Sequence, residues 1–430
     1  MSESLLTTAE LELIVEKFET IKLEDIGKKH WFKRSQEIFK IYQVASIEAS
    51  SSSGTERVFK AFTLYNKVEP LIKDVVTLSL WKEKVFPALV TLTPQPESPF
   101  PTYIVLYGEV IILGILQSLL FHSEAFNYIS DSSDDLIDYA VSKISKLLCV
   151  KSKNLTTDDI RMRKMDAIEE LKEQKDLIDF NIGSQCISVV RYICENFDKL
   201  PLSAASRIYT THDVPILITH LLDMNTWSNH VDGKFYKHND NEWKEWLSED
   251  PVLSKTECQV WLLLRQLLIN PTCDTVYYYS TFRKEQLSKL IKLLHDRVID
   301  QLSPLEDLKN WLNTLLISPS KGENVHNPLI VEVTTSYKDE LSLKYEDQWD
   351  QIASKRSKLL FYGSPNDKQA IAKSFAASLD TIEEINDNLQ SCIFCFNRAF
   401  KRCSKCKKVW YCSRKCQVQH WSAHKTVCVS

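Results

Sequence analysis

Residues 392–428 read CIFCFNRAFKRCSKCKKVWYCSRKCQVQHWSAHKTVC. Seven cysteines and two histidines fall in this stretch, with no aspartate or glutamate. They are spaced as Cys392-x2-Cys395, Cys403-x2-Cys406, Cys412-x3-Cys416 and His424-x3-Cys428, with His420 left over. A Cys-x2-Cys pair sets two thiolates on one knuckle turn, which is half of a tetrahedral zinc site. An i, i+4 pair sets both donors on one helical face. Four pairs make two closed sites, so the spacing predicts two Zn²⁺ ions. A segment this short cannot bury a core of its own, so metal binding is its folding free energy. The rest of the fold must be sought upstream.

Upstream, scarcity of glycine decides the class. The chain has 8 glycines in 430 residues, with 44% hydrophobic and 26% charged residues. Tight turns and phosphate-cradling loops both consume glycine. The body is therefore expected to be all-α rather than a Rossmann or P-loop fold. Val68, Leu71, Ile72, Val75 and Val76 fall at helical offsets, with Pro70 in the first turn. Val214, Leu217, Ile218, Leu221 and Leu222 repeat them after Pro215, and Val260, Leu263, Leu264, Leu267 and Leu268 repeat them again. Stripes this wide must bury against neighbouring helices. The repeated unit resembles the helical repeats of armadillo-like solenoids, although no strict forty-residue period emerges. A helical-repeat body is expected over 1–317, beginning with two helices in 1–50 that carry Trp31 and Phe32 on an apolar face. Loops are expected at Ser50–Gly54 and around 150–159. Turn residues among aromatics in 225–251 predict a short hairpin, near 232–246, or an ordered loop. A linker is expected at 318–332. A charged helical spacer, broken at Gly363-Ser364-Pro365, is expected over 333–390, ahead of the zinc module at 392–428.

Tyr103–Phe121 is long and apolar, but Glu109 sits near its centre. A central carboxylate costs about 3 kcal/mol on membrane insertion, so a buried core helix is expected rather than a membrane span. The N-terminal residues lack the basic start and apolar run of a signal peptide. Seven of 12 cysteines sit in the metal pattern. The others (Cys149, Cys186, Cys194, Cys258 and Cys273) stand in apolar helical contexts. Both observations point to a reducing, cytoplasmic setting. The module carries nine Lys or Arg, which against a net charge of −4 leaves −13 for the remainder. Seven thiolates and two Zn²⁺ would bring the module to about +6, so nucleic acid is not the expected partner.

The order of the donors resembles the MYND zinc finger, in which two sites interleave. That resemblance implies one site from Cys392, Cys395, Cys412 and Cys416, and a second from Cys403, Cys406, His424 and Cys428. His420 would be the spare, at the surface or beside the ligands. With four protein ligands each, the metals have no open position for hydrolysis. MYND fingers bind short proline-rich peptides, and the matching groove positions are Ser404, Gln417 and Trp421. Trp421 could instead pack inside the small finger. The catalytic relatives with a MYND insertion are lysine methyltransferases, but no methyl-donor motif flanks the module. No G-x-x-x-x-G-K-[ST], H-E-x-x-H or G-x-S-x-G occurs either, so a non-enzymatic protein is expected. His212-Asp213 and His295-Asp296 fit surface or capping roles, and Cys186 and Cys194 fit buried apolar ones.

Beyond the finger, four features resemble the MYND proteins of axonemal dynein arm preassembly. They are Val68-Glu69-Pro70-Leu71 leading to Trp81-Lys82-Glu83-Lys84-Val85-Phe86-Pro87, the segment Pro99-Phe100-Pro101-Thr102-Tyr103, the segment Thr211-His212-Asp213-Val214-Pro215, and the terminal module itself. The resemblance implies a cytoplasmic co-chaperone adaptor, concentrated in centrosomal or centriolar-satellite puncta. Its implied partners are a leucine-rich-repeat cofactor, a ninety-kilodalton heat-shock chaperone and an immunophilin, with dynein chains as clients. The alternative is a nuclear transcriptional corepressor with a MYND head.

Overall fold

The computed structural model describes residues 6–50, 56–149, 166–231, 233–239, 241–246, 252–317, 336–361, 399, 401–406, 409–425 and 428. The loop at 51–54, the polar stretch at 150–159, the linker at 318–332 and the Gly363-Ser364-Pro365 break lie outside them.

The body is all-α. The chain opens with α1 (Thr8–Glu16), whose first turn is closed by a capping box between Thr7 and Glu10. It continues through α2 (Lys29–Ser50), α3 (Arg57–Leu64), α4 (Val68–Leu92), α5 (Phe100–Leu120), α6 (Ser133–Lys146) and α7 (Ala167–Glu195). After the short α8 (Leu202–Ser206) and α9 (Val214–Asp223) come three strands and then α10 (Lys255–Ile269). The short α11 (Pro271–Val276), α12 (Thr281–Ser288) and α13 (Asp296–Gln301) lead to α14 (Leu305–Ile317). Long helices pack in succession, α2 on α5, α5 on α7, α7 on α10 and α10 on α14. In a second row α4 meets α5 and α6, and α6 meets α7. Each helix thus covers the apolar stripe of the next. All three five-residue stripes, from Val68, Val214 and Val260, are buried in one continuous core.

The strands are β1 (Ser228–Val231), β2 (Lys234–Asn239) and β3 (Glu242–Glu245), antiparallel in that order. The hairpin expected near 232–246 corresponds to β2 and β3 of this sheet, and Gly233 ahead of β2 has φ +76°. Strand β1 was not foreseen, because none of its four residues is buried and they show no alternation. Trp243 packs on Phe180 of α7 at 5.2 Å. Lys237 of β2 pairs with the buried Glu257 of α10 at 2.9 Å. The sheet is thereby pinned to the helical rows.

Helix α5 is long and apolar enough to cross a membrane by length and composition. Its central Glu109 explains why it packs as a core helix. That carboxylate is 1% exposed and is paired with Lys82 of α4 and with Lys143 of α6 at 2.7 Å. The Tyr139 hydroxyl donates to it at 2.9 Å. Lys82 also meets Asp179 of α7, which takes Lys175 at 2.7 Å. Four helices therefore share one buried ionic cluster. Burial alone would push the Glu109 carboxyl up, but Lys143 and Lys82 reverse that and hold it below its usual range. Burial likewise pulls the Lys143 ammonium down against the attraction of Glu109.

The charged spacer expected over 333–390 is a different object across its described part. Helices α15 (Tyr337–Lys344) and α16 (Trp349–Phe361) fold back onto α4. Their charges are used for docking rather than solvation. Lys338 pairs with Glu83 at 2.8 Å, Asp135 accepts from the Tyr337 amide at 2.9 Å, and the Thr93 and Ser357 hydroxyls meet at 2.8 Å. Tyr345 donates to the Glu24 carboxylate, and Leu360 and Phe361 are fully buried. The body therefore extends past residue 317 to Phe361.

Two stability predictions follow from these buried charges. Glu109→Ala strands Lys143 without its counter-charge and should cost about 3–5 kcal/mol in urea unfolding of the full chain; a loss below about 1 kcal/mol would contradict the cluster's role. Glu83 also has an acid signature. Burial raises its carboxyl, but hydrogen bonds from Lys146 and Lys338 bring it down to about 2. Its folded value is depressed, so its contribution is present above the unfolded value and is lost as pH falls through about 2. Glu83→Gln should therefore destabilise at pH 7 and lose that penalty toward pH 2, and a penalty independent of pH would contradict a role for the Glu83 ion pairs.

Candidate metal centre

The finger begins, among its described residues, with a two-stranded hairpin. Strand β4 (Lys401–Arg402) pairs antiparallel with β5 (Trp410–Tyr411). The Cys403 amide extends the ladder by donating to the Val409 carbonyl at 2.7 Å. The Cys403-x2-Cys406 knuckle therefore hangs from the end of this hairpin, with both sulfurs buried. The Arg402 guanidinium lies 4.3 Å from the Trp410 ring. Helix α17 (Arg414–His424) starts immediately after Cys412 because Ser413 caps it, accepting from the Cys416 amide at 3.3 Å. That cap sets Cys416 in the first turn and His424 in the last.

Cys403, Cys406, His424 and Cys428 converge, with their donor atoms within 4.8 Å of one another and all four residues buried. Cys403 Sγ lies 3.7 Å from Cys428 Sγ, and Cys406 Sγ lies 3.4 Å from His424 Nε2. A tetrahedron with Zn–S bonds of about 2.3 Å has edges of about 3.7 Å. The donor set and its spacing therefore fit a four-coordinate zinc. The thiol environment agrees. The Cys406 backbone, then the His424 side chain, brings the Cys403 thiol down to about 6, while burial and the facing thiols push Cys428 up. Thiolates held this close repel one another, and a divalent cation offsets that repulsion. With four protein donors a bound ion would have no open position, and its role would be structural.

Cys412 Sγ and Cys416 Sγ lie 3.5 Å apart, again a tetrahedral edge. Cys392 and Cys395, their expected partners, lie outside the described residues. His420 stands apart from the cluster, with its Nδ1 3.0 Å from the Tyr411 hydroxyl. Tyr411 is 1% exposed and forms the centre of the finger's small core with Ala399, Cys403, Cys406, Cys416 and Cys428. Sequence reasoning missed Tyr411. It stands one residue before Cys412 and opposite Lys401 in the hairpin.

The three groove candidates are placed as follows. Ser404 is exposed on the knuckle turn, Gln417 is half-buried on α17, and Trp421 is 42% exposed one turn later. The Trp421 ring meets His424 edge-on at 5.8 Å, from outside the donor cluster. Val418 beside it is 66% exposed. The outer side of α17 thus carries an aromatic ring, an aliphatic side chain and an amide. Elsewhere, His212 and Asp213 are structural. His212 Nε2 lies 2.7 Å from Asp138, and Asp213 accepts from Tyr277 at 2.5 Å and Arg283 at 2.8 Å. Cys186 and Cys194 are fully buried, and burial pushes both thiols up.

Residues 392–428 match the MYND finger family. The zinc finger MYND domain-containing protein 10 homolog of Drosophila melanogaster is 30% identical over 445 residues, covering 98% of each chain. The chain belongs to this family. Shorter matches include ubiquitin carboxyl-terminal hydrolase 15 of Arabidopsis thaliana, 56% identical over 45 residues, which are 10% of this chain and 5% of that protein. Another is Tudor domain-containing protein 1 of Danio rerio, 49% identical over 37 residues, 9% of this chain and 3% of that protein. Segments so short carry neither protein's own activity across. No solved structure matches the chain.

Loss of one donor tests the centre. Cys406→Ser in the full chain should lower bound zinc by at least one equivalent in elemental analysis and open the MYND finger to protease while helicity of the body is kept. Unchanged zinc content would contradict the assignment.

Proposed function

We propose that this chain is a non-enzymatic adaptor that works in the cytoplasm on preassembly of axonemal dynein arms. Two structural Zn²⁺ ions hold its head, one on Cys403, Cys406, His424 and Cys428 and one on Cys392, Cys395, Cys412 and Cys416. The observation that carries the reading is the division of labour in the finger. The donors of the converged cluster are buried, while Trp421 and Val418 stay exposed on α17. A ring and a half-exposed amide one turn apart suit an extended, proline-rich segment, which offers rings to stack and carbonyls to accept. The family membership supports the reading over nearly the whole chain. The resemblance to preassembly factors supplies the expected company: a leucine-rich-repeat cofactor, a heat-shock chaperone with an immunophilin, and dynein chains as clients held by the helical body.

Trp421→Ala should keep all bound zinc and lose at least about tenfold in partner capture, since buried aromatic anchors carry most of such interfaces. Undiminished capture by a zinc-loaded Trp421→Ala chain would refute the groove. Imaging in a multiciliated cell tests the setting. Cytoplasmic signal with dynein arms lost on knockout is expected, and nuclear signal with altered transcription would favour the corepressor instead.

A further inference from the structure

Asp135, Asp138 and Tyr139 recur at helical offsets on α6 and share one face of it. That face lines a cavity of about 220 Å³, closed on its other sides by α4 and by the first turn of α15. Val76 and Tyr139, both buried, give it an apolar wall, and the exposed Asp339 stands at its rim. Sites for drug-sized ligands measure roughly 300–1,000 Å³, so this cavity is too small for one. At about 30 Å³ per water it has room for about seven waters. It fits one slim side chain or a short amine.

The charges around the cavity do not balance. Asp138 is already paired with Arg207 at 2.5 Å and His212 at 2.7 Å. Lys338 supplies a cation to the wall, but Glu83 takes it at 2.8 Å. Asp135 accepts from the Tyr337 amide at 2.9 Å, and Asp339 accepts from the Ser336 hydroxyl at 2.8 Å. Neither has an ion-pair partner among the described residues. Burial pushes the Asp135 carboxyl above its usual range; the Tyr337 amide opposes this and the charge of Asp138 adds to it.

A second observation is independent of charge. Ser79 of α4 is 4% exposed and lines the cavity, and its hydroxyl has no hydrogen-bond partner among the described residues. A buried hydroxyl without a partner is costly, and a ligand that reaches it removes that cost. The ligand is not a bare metal ion. Among the described residues, only Cys403, Cys406, His424 and Cys428 reach metal-binding spacing, so the carboxylates here are too dispersed. An ammonium points three donors in different directions, whereas a guanidinium presents a planar fork to one carboxylate. Acceptors on three separate helices favour the ammonium.

We infer that this cavity is a socket for an aliphatic ammonium, taken by Asp135, Asp339 and the Ser79 hydroxyl, with its stem against Val76 and Tyr139. A lysine side chain of a partner protein or a free polyamine carries that chemistry. The socket is independent of the peptide groove on the finger. Its acceptors stand on α4, α6 and α15, so occupancy ties the last body helices to the helical rows.

The test uses the full-length, zinc-loaded chain and titration calorimetry. n-Butylammonium probes the shared chemistry, and saturable one-to-one binding is expected. Asp135→Asn keeps an acceptor for the Tyr337 amide and should weaken binding at least about tenfold. Ser79→Ala should also weaken it, with thermal unfolding of the chain unchanged. Spermidine and a blocked pentapeptide with one central lysine separate the sources. Tighter binding of the peptide supports the socket and assigns it to a partner's lysine, and tighter binding of spermidine supports it and assigns it to a polyamine. No saturable binding of n-butylammonium, or binding unchanged in both variants, would overturn the socket. Tighter binding of the same peptide with arginine in place of lysine would overturn its assignment to an ammonium.

Discussion

Convergence of sulfur and nitrogen donors on a common centre is the constraint from which the rest of the head follows. Among the described residues the finger's small core comprises a tyrosine, an alanine and ligand cysteines. A segment this short buries too little apolar surface to offset the entropy of ordering it. Coordination replaces the missing burial. Once Cys403, Cys406, His424 and Cys428 are drawn together, the hairpin β4–β5 and helix α17 have little freedom left. Tyr411 is buried in that core, and Trp421 on α17 is 42% exposed. The donors of the cluster therefore lie inside while the Trp421 ring lies outside.

The body solves a different problem. A row of wide-striped helices is held in register by charges as well as by apolar packing. Glu109, Lys82, Lys143 and Asp179 come from four different helices, and each is tolerable only because the others are present. The last two body helices close on α4 through Lys338, Tyr345 and Ser357. This closure brings the C-terminal half of α16 to the α4–α5 loop, where Ser357 meets Thr93.

The helical class was readable from glycine scarcity and from stripes such as Val68–Val76, because periodicity is a local property. The metal cluster was readable because donor spacing along the chain maps directly onto turns and helix faces. Glu109 was recognised as incompatible with a membrane span, but its partners were not, since Lys82, Lys143 and Asp179 are local to nothing but the tertiary fold. For the same reason 333–390 read as a charged helical spacer: alternating charge looks identical whether its partner is water or Glu83. Strand β1 escaped because a four-residue segment with no buried side chain has no pattern to detect. Tyr411 escaped because a tyrosine between metal ligands has the same local signature whether it points in or out.

The central claim is that metal coordination by this donor set builds the head. Zinc K-edge X-ray absorption on the full chain tests it most directly. The account predicts two zincs per chain with a sulfur-rich shell, averaging about 3.5 sulfurs at about 2.3 Å and 0.5 nitrogens at about 2.0 Å. A shell dominated by oxygen and nitrogen, or a chain that folds its finger without zinc, would contradict it.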